Sequence, residues 1–408
     1  MAVLDDLAYA PGTAAAIGRA FPLFEKKMQS GQPKPAASVR VSFASASAAD
    51  SDSVAYATCE ALAMGVRRAC RLVDMPPADL TTTQLTEEAR LAAARLEAGG
   101  KAVTVEVIKG DALLASGHGL LHAVGRCAVE PPALVVLSHV PKGAVRTVAL
   151  VGKGIVYDTG GLALKSKEGM CGMKADMGGA AALLGGFEAA VAVGTGSTAV
   201  HLILCVAENA IGPDAVRNDD VVSGVSGKTV EINNSDAEGR LVLADGVAHA
   251  TALPSRLPGL KGQPDLVIDM ATLTGAQMVA TGKRIAAGIS NSEEVEAAAV
   301  AAGRLTGDLV CPLPYAPEFY RKEFKSQIAD MKNSVKDRGN AQASCAANFI
   351  SEHLHPDFNG GWLHVDLAGP AFIEDRGTGF GVGLAVAMIG VEGVGATAAA
   401  EGKKRARK

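Results

Sequence analysis

Two acidic side chains, Asp236 and Glu238, stand two positions apart in the run NNSDAEGRLVLAD that begins at Asn233. In an extended or loop backbone, this spacing puts both carboxylates on one side of the chain. A helix is predicted to begin just after them, and its N-terminal amides favour anionic groups nearby. Arg240 follows closely enough to hold a small anion or a substrate oxygen. A capped helix start would explain one acid, but not two acids and an arginine between apolar flanks.

A second polar set lies in the glycine-rich run of residues 151–182, VGKGIVYDTGGLALKSKEGMCGMKADMGGAAA. Lys153, Asp158, Lys165 and Asp176 are surrounded there by small or apolar residues, and a buried charge needs a partner or a metal. The run starts as a buried strand and becomes polar where that strand should end, which is where ligands bind in open α/β sheets. A phosphate-binding loop is disfavoured because the GxxxxGK(S/T) spacing is absent.

Together, the two segments offer four carboxylates and a lysine as possible metal ligands. If they converge, they would suit two divalent cations that share bridging oxygens ~3.5–4 Å apart, an arrangement that serves hydrolysis. A site so rich in oxygen ligands suits Zn, Mn, Mg or Co, and spacing alone does not choose among them. The metal ligands alone permit either peptide or phosphoester hydrolysis.

The elements that must position these residues indicate an α/β fold. Apolar runs of strand length alternate with helical stretches, which predicts a central mixed, mostly parallel sheet covered by helices on both faces. The predicted strands span residues 103–108, 133–137, 148–156, 200–206, 266–270 and 362–367. The predicted helices span residues 54–75, 81–98, 179–193, 239–253, 292–303 and 379–389.

Composition limits the class of protein. The chain has 408 residues, 48% hydrophobic and 20% charged, which is typical of a soluble globular protein. A net charge of −4 gives no global attraction to nucleic acid or an anionic membrane. Seven scattered cysteines without a CxxC pair favour reduced thiols. We find no secretory signal and no window near the ~20 apolar residues of a membrane span, so we expect a cytoplasmic protein without a membrane partner.

The motifs resemble those of the leucyl (cytosol) aminopeptidase family of dimetal peptidases, nearest to its probable-aminopeptidase branch. VGKGxxxDTGGxxxK, MKxDMGGAA and NxDAEGRLVLADG occur in the family's order. They are followed by MATLTGA from Met270, WLHVDLAG from Trp362 and TGFGV from Thr378. The resemblance covers roughly residues 60–390. It implies a metalloexopeptidase that removes the N-terminal residue from short peptides with a free N-terminus.

The same resemblance implies a ligand set for two divalent metal ions per subunit, Zn or Mn, with Mg or Co as further options. Asp158 and Glu238 would bridge both metals. Asp236 would complete the more exchangeable site, and Lys153 and Asp176 the tighter one. A lysine that binds a metal must be neutral, which requires a strongly lowered pKa beside two cations.

Further roles follow from the resemblance. Lys165 would stay charged and stabilise the oxyanion of the tetrahedral intermediate. Arg240 would hold a bicarbonate that acts as a general base toward the water bridging the metals. The family's subunits assemble as homohexamers. The pocket for the first side chain and the peptide backbone would be lined by Met173, Thr272, Leu273, Thr274 and Gly275.

The chain departs from the family pattern in three places. Ser235 stands where Thr is usual, and keeps the hydroxyl. Ala175 stands where a larger, often aromatic, residue is usual, which would either widen the site or loosen the local packing. The segment before residue 60 is shorter than the family's N-terminal domain. We therefore predict a short N-terminal segment and linker over residues 1–55, as a remnant of that domain, a dimetal aminopeptidase catalytic domain over 56–392, and a flexible basic tail over 393–408.

Two other functions are compatible with parts of the sequence. An inactive assembly or DNA-binding protein on the same fold is supported only by the basic run KKRARK at residues 403–408. The presence of Lys153, Lys165 and Arg240 argues against loss of activity. A dimetal phosphoester hydrolase is permitted by the carboxylates, but Lys153 as a ligand and the arginine of DAEGR favour peptide chemistry. We therefore predict a metal-dependent aminopeptidase without a nucleic-acid partner.

Overall fold

The computed structural model describes residues 10–29, 32–33, 53–337, 339–391 and 394. The strands within these residues are β1 (Met28–Gln29), β2 (Gln32–Pro33), β3 (Thr104–Lys109), β4 (Ala133–His139), β5 (Arg146–Asp158), β6 (Thr198–Asn209), β7 (Val221–Ser223), β8 (Thr229–Glu231), β9 (Leu266–Ala271), β10 (Ala286–Ser290), β11 (Val310–Pro312), β12 (Met331–Lys332), β13 (Gly361–Asp366), β14 (Phe372–Ile373) and β15 (Arg376–Gly377). The helices are α1 (Ala10–Ala20), α2 (Ser53–Asp74), α3 (Thr82–Ala98), α4 (Ala112–Ala115), α5 (Gly119–Gly125), α6 (Lys167–Met170), α7 (Gly178–Val193), α8 (Gly239–Thr251), α9 (Gly275–Thr281), α10 (Glu293–Thr306), α11 (Pro317–Tyr320), α12 (Gln342–Ser351) and α13 (Val382–Ile389).

An eight-stranded mixed sheet forms the centre of the molecule, in the order β11-β10-β13-β9-β5-β6-β4-β3. The four neighbours β13, β9, β5 and β6 run parallel, as do β10 and β11. The pairs β10–β13, β4–β6 and β3–β4 are antiparallel. This topology confirms the predicted mixed, mostly parallel sheet of an α/β fold.

Helices cover both faces of the sheet, as predicted. Side chains of β5 alternate between two buried clusters, because successive residues of a strand point to opposite faces. Val148 and Leu150 pack on the face that also holds Phe187 of α7. Ala149 and Val151 pack on the face that carries α8 and α12. With apolar cores on both sides, the central strands have no solvent-facing surface.

Glycine lets helix α7 approach the sheet unusually closely. A Cβ on Gly179 would lie 2.0 Å from the carbonyl oxygen of Met270, and one on Gly152 would lie 2.8 Å from Cα of Ala180. The first turn of α7 therefore rests directly on β5 and β9. This contact fixes the segment just before the helix, which carries Asp176.

The predicted elements agree with the structure to within a few residues, but several elements were not predicted, among them β10, α5, α9 and α12. One expectation about apolar segments was wrong. Residues Lys167–Val193 are long and apolar enough to cross a membrane, and 89% of the apolar window is buried inside the molecule because α7 is a core helix. The N-terminal segment contains α1, which packs on α2. Its predicted linker and nearly all of the basic tail lie outside the described residues, so the domain boundaries stay predictions.

Candidate active site

The residues singled out from the two polar segments meet at one edge of the sheet. Asp158 is the last residue of β5, and Asp176 lies two residues before α7. Asp236 and Glu238 lie just before α8, as the sequence predicted. Since β5 and β9 are parallel neighbours, their carboxyl ends open on the same crevice.

Two lysines connect the four carboxylates. The Nζ of Lys153 lies 2.8 Å from Oδ1 of Asp176 and 2.9 Å from Oε1 of Glu238. The Nζ of Lys165 lies 2.8 Å from Oδ2 of Asp158 and also contacts Asp236. Each lysine thus joins two carboxylates that come from different elements of the chain.

The donor set fits divalent cations. Asp158, Asp236 and Glu238 each offer a carboxylate oxygen, and these oxygens lie within 4.8 Å of one another. Among the described residues, Oδ2 of Asp176 and Oε2 of Glu238 are buried and have no hydrogen-bond partner. A buried unpartnered carboxylate oxygen is costly unless a cation or a donor binds it. The arrangement therefore suits metal ligation by oxygen.

Burial and mutual repulsion set the protonation of these groups. Burial and the charge of Glu238 raise the pKa of Asp158 to about 6, against the opposing effect of Lys153 and Lys165. Burial acts to lower the pKa of Lys153, but the surrounding carboxylates, led by Asp176, outweigh it and raise that pKa. The pKa of Lys165 is raised in the same way, chiefly by Asp158. Both lysines are therefore ammonium groups in this arrangement.

A cavity of about 670 Å³ opens over these groups. Its lining includes every predicted ligand and Lys165, together with all the residues predicted to bind substrate, namely Met173, Thr272, Leu273, Thr274 and Gly275. Ala175 also borders the cavity, as expected from its place beside Asp176. The sequence did not single out several other lining residues, among them Met278, Lys283, Arg284 and the segment from Phe372 to Asp375.

Comparison with known proteins identifies the family to which this chain belongs. The model of the cytosol aminopeptidase family, catalytic domain, matches residues 67–388. The chain belongs to the cytosol aminopeptidase family. It is 48% identical over 381 residues to the probable aminopeptidase NPEPL1 of Mus musculus, covering 93% of this chain and 70% of that protein. It is 45% identical over 330 residues to leucine aminopeptidase 1 of Caenorhabditis elegans, covering 81% of this chain and 64% of that protein.

Solved structures give the same result. Leucyl aminopeptidase from Trypanosoma brucei, in complex with bestatin, superposes with a TM-score of 0.84 at 44% identity, covering 94% of this chain and 72% of that one. The bottromycin maturation enzyme BotP, in complex with Mn, superposes with a TM-score of 0.80 at 31% identity, covering 93% and 78% of the two chains. The predicted family is confirmed, and the chain is a metallo-aminopeptidase of the hydrolase class.

Other buried side chains of this aminopeptidase hold the site in place. Asn209 donates from Nδ2 to Oδ1 of Asp158 at 2.8 Å and to the carbonyl of Ser235 at 3.0 Å. The hydroxyl of Ser235 donates to the carbonyl of Gly160 at 2.8 Å and accepts from the amide of Ala163 at 2.7 Å. Both hydrogen bonds need only the hydroxyl group, which serine and threonine have in common, so Ser235 can replace the threonine usual at this position.

A second buried group is Asp366 of the WLHVDLAG motif, for which the sequence predicted no role. It accepts hydrogen bonds from the amide of Leu273 at 3.1 Å and from Oγ1 of Thr274 at 2.6 Å. The neighbouring Thr272 accepts from Nζ of Lys153 at 3.0 Å and donates from Oγ1 to Oδ1 of Asp176 at 2.9 Å. Asp366 therefore anchors the loop of residues 272–275, which also contacts the predicted ligands Lys153 and Asp176.

Arg240 differs from the other predicted site residues because it does not line the cavity, although the charge of Glu238 acts on it. Its side chain is buried, its Nη1 donates to the carbonyl of Asn333 at 3.0 Å, and burial lowers its pKa to about 10. Its Nε has no hydrogen-bond partner among the described residues. Arg240 is charged at neutral pH, and it is not one of the side chains that line the cavity.

Proposed function

We propose that this aminopeptidase releases the N-terminal residue of short peptides at a site for two divalent cations held by Lys153, Asp158, Asp176, Asp236 and Glu238. The observation that carries the proposal is the convergence of four carboxylates on one cavity, with buried oxygens of Asp176 and Glu238 that lack protein partners. Bound there, the cations would polarise the scissile carbonyl and lower the pKa of the attacking water. Zn or Mn is proposed first, with Mg or Co as further options.

Lys165 is the group proposed to stabilise the oxyanion. Its side chain is 16% exposed, so its ammonium reaches the cavity from a largely desolvated position. Because Asp158 and Asp236 hold it, it is a preorganised donor that needs little rearrangement when negative charge develops. A charged donor in such a site stabilises a tetrahedral oxyanion more than it would in water.

Lys153 is proposed as a ligand through its neutral amine. Carboxylates raise the pKa of this lysine, whereas divalent cations beside it would act in the opposite direction. Cation binding and release of the Lys153 proton are therefore coupled. Its hydrogen bond to the carbonyl of Thr272 keeps Nζ at the centre of the ligand set throughout.

The proposed substrate loop extends from Thr272 to Gly275 and lines the same cavity as Met173. It is anchored by Asp366, so the groups that would contact the peptide are fixed relative to the ligands. Fixing the peptide by its amine at the cations and by its backbone at this loop would make attack on the first carbonyl effectively intramolecular.

Arg240 is proposed to hold a bicarbonate that assists deprotonation of the attacking water. The support for this is its buried guanidinium, which has an unpartnered Nε and lies two residues from Glu238. Family membership further leads us to propose a cytoplasmic homohexamer. Light scattering of the purified protein would show a particle of six subunits, and a monomer would refute this part.

The test is hydrolysis of leucine amide and a panel of other aminoacyl amides. Protein stripped of metal is assayed before and after addition of Zn, Mn, Co or Mg, beside the variants Lys165→Ala and Glu238→Ala. We expect metal-dependent turnover that both variants lose. Lys167→Ala is the matched control, because Lys167 is an exposed lysine two residues from Lys165 that does not line the cavity. Folded protein that binds two ions yet releases nothing would refute the proposal.

A further inference from the structure

Two cationic side chains, Lys283 and Arg284, line the catalytic cavity without belonging to the metal site. Both are exposed. Within the residues the structure describes, neither forms an ion pair or a side-chain hydrogen bond. Their positive charges are therefore available to a ligand that enters the cavity.

The backbone that carries these two cations is fixed by a buried amide. Gln277 is fully buried, and its Nε2 donates to the carbonyls of Gly282 at 3.0 Å and Ile285 at 2.8 Å, one on each side of the pair. A Cβ on Gly369 would lie 3.0 Å from Cα of Lys283. The segment is thus packed against the loop that follows β13, and its place relative to the catalytic residues is determined.

The cavity lining also contains two acidic side chains that form no ion pair with Lys283 or Arg284. Glu374 and Asp375 form the turn between β14 and β15 and have φ values of 50° and 61°. Non-glycine residues seldom adopt this conformation, and it persists where the surrounding structure imposes it. The turn would repel a carboxylate in its vicinity. Lys283 and Arg284 are consequently the favourable place for a carboxylate inside the cavity.

An N-terminal exopeptidase orients its substrate in one direction. With the free amine at the proposed metal site, the leaving group would have to occupy the remainder of the cavity, whose lining includes Lys283 and Arg284. In a short peptide, the leaving group ends in a carboxylate. The cavity volume of about 670 Å³ lies within the ~300–1,000 Å³ of ordinary small-ligand pockets, so the cavity is large enough for a di- or tripeptide.

We propose that Lys283 and Arg284 form a subsite for the free C-terminal carboxylate of di- and tripeptides. The proposal rests on the proposed function, because the peptide amine must be held at the metal site. Guanidinium and ammonium groups are suitable carboxylate partners, and the guanidinium can bind both oxygens. The subsite would make short peptides with a free C-terminus better substrates than the same peptides with an amidated one.

The test compares Leu-Gly and Leu-Gly-Gly with their C-terminal amides. We expect the ratio of kcat/KM for acid over amide to fall about 3-fold in Lys283→Gln or Arg284→Gln, and about 10-fold in the double variant, as for exposed charge pairs. The wild-type ratio should also fall as salt is added. Conversely, the double variant Glu374→Gln/Asp375→Asn should raise the ratio.

The matched control is Lys261→Gln, which removes one exposed positive charge from the segment before β9, at the opposite end of that strand from the cavity. It should leave both activities and their ratio unchanged. An unchanged ratio in the Lys283/Arg284 double variant, or an equal fall in Lys261→Gln, would overturn the subsite while leaving the aminopeptidase intact. Absence of turnover of all four substrates by the metal-loaded wild type would overturn both proposals.

Discussion

Replacing Asp366 by asparagine should impair catalysis without removing any proposed ligand. Asp366 is fully buried at the end of β13 and accepts four hydrogen bonds. Asparagine has nearly the same shape, and its oxygen can still accept from the amides of Leu273 and Thr274. Its amide nitrogen cannot accept from Oγ1 of Thr274, a bond of 2.6 Å that is now charge-assisted.

The size of the effect follows from that one bond. Hydrogen bonds to charged groups contribute about 1.5–3 kcal/mol, and a buried donor left unpartnered costs about 1–3 kcal/mol. We therefore expect unfolding free energy to fall by about 2 kcal/mol. The lost bond also releases the loop of residues 272–275, whose Thr272 contacts Lys153 and Asp176. Because roughly 1.4 kcal/mol corresponds to a tenfold change in rate, we expect kcat/KM to fall about 10-fold or more.

The assay is leucine amide turnover with saturating metal, combined with calorimetric metal binding. We expect reduced kcat/KM with two ions still bound. Thr274→Ser, which keeps the hydroxyl, should restore most of the activity that Thr274→Ala loses. Activity of Asp366→Asn within twofold of wild type, at a normal melting temperature, would show that this anchor does not control the loop.

Three further outcomes follow from the structure. Gly179→Ala should abolish folding or sharply lower the melting temperature, because its Cβ would lie 2.0 Å from the carbonyl oxygen of Met270. The control Gly262→Ala should melt like the wild type, because its Cβ would have no atom within 4 Å, and equal melting temperatures of the two variants would contradict the packing argument. Burial lowers the pKa of His364, but the buried Asp269 outweighs it and raises that pKa above 6.5. The stabilisation by this pair should be full below about pH 6.5 and lost as pH rises through the folded pKa, so the unfolding free-energy difference between wild type and Asp269→Asn should shrink from pH 6 to pH 9. Removing metal should lower the melting temperature of the wild type, because metal present at 100 times its dissociation constant adds about 2.7 kcal/mol to the free energy of unfolding. The melting temperature of Glu238→Gln should fall far less when metal is removed.

Short-range patterns were sufficient for much of this fold. The apolar runs of β5, β6 and β9 predicted buried parallel strands, and helices α7 and α8 were predicted with nearly correct starts. The missed strand β10 reads AAGIS, which has too little β-branched content to signal a strand and is specified by its pairing with β13. Helix α9, seven residues long, is likewise too short for its periodicity to be read.

In the site, too, the sequence revealed residues that stand out from their neighbours along the chain, but not residues whose partners are distant in the sequence. Lys153, Asp158, Asp236 and Glu238 stood out because charges among apolar neighbours are visible in the sequence itself. Asn209 did not, since its importance lies in a bond to a carboxylate 51 positions away. The charges of Lys283 and Arg284 in the cavity lining were missed for a related reason. Lys283 and Arg284 sit in an ordinary polar loop, and only the tertiary structure brings that loop to the cavity.

Gln277 links the proposed substrate loop to the proposed carboxylate subsite. Its backbone amide donates to Oγ1 of Thr274 at 3.1 Å, and its side-chain Oε1 accepts from the amide of Gly369 at 2.7 Å. Its Nε2 holds the segment around Lys283. Because Thr274 is in turn bonded to Asp366, one continuous buried network joins the proposed substrate loop to the segment around Lys283. Under the two proposals, this network would hold both ends of a dipeptide relative to each other. Chemistry at the first carbonyl and selection at the C-terminus would therefore respond together to any change in this network.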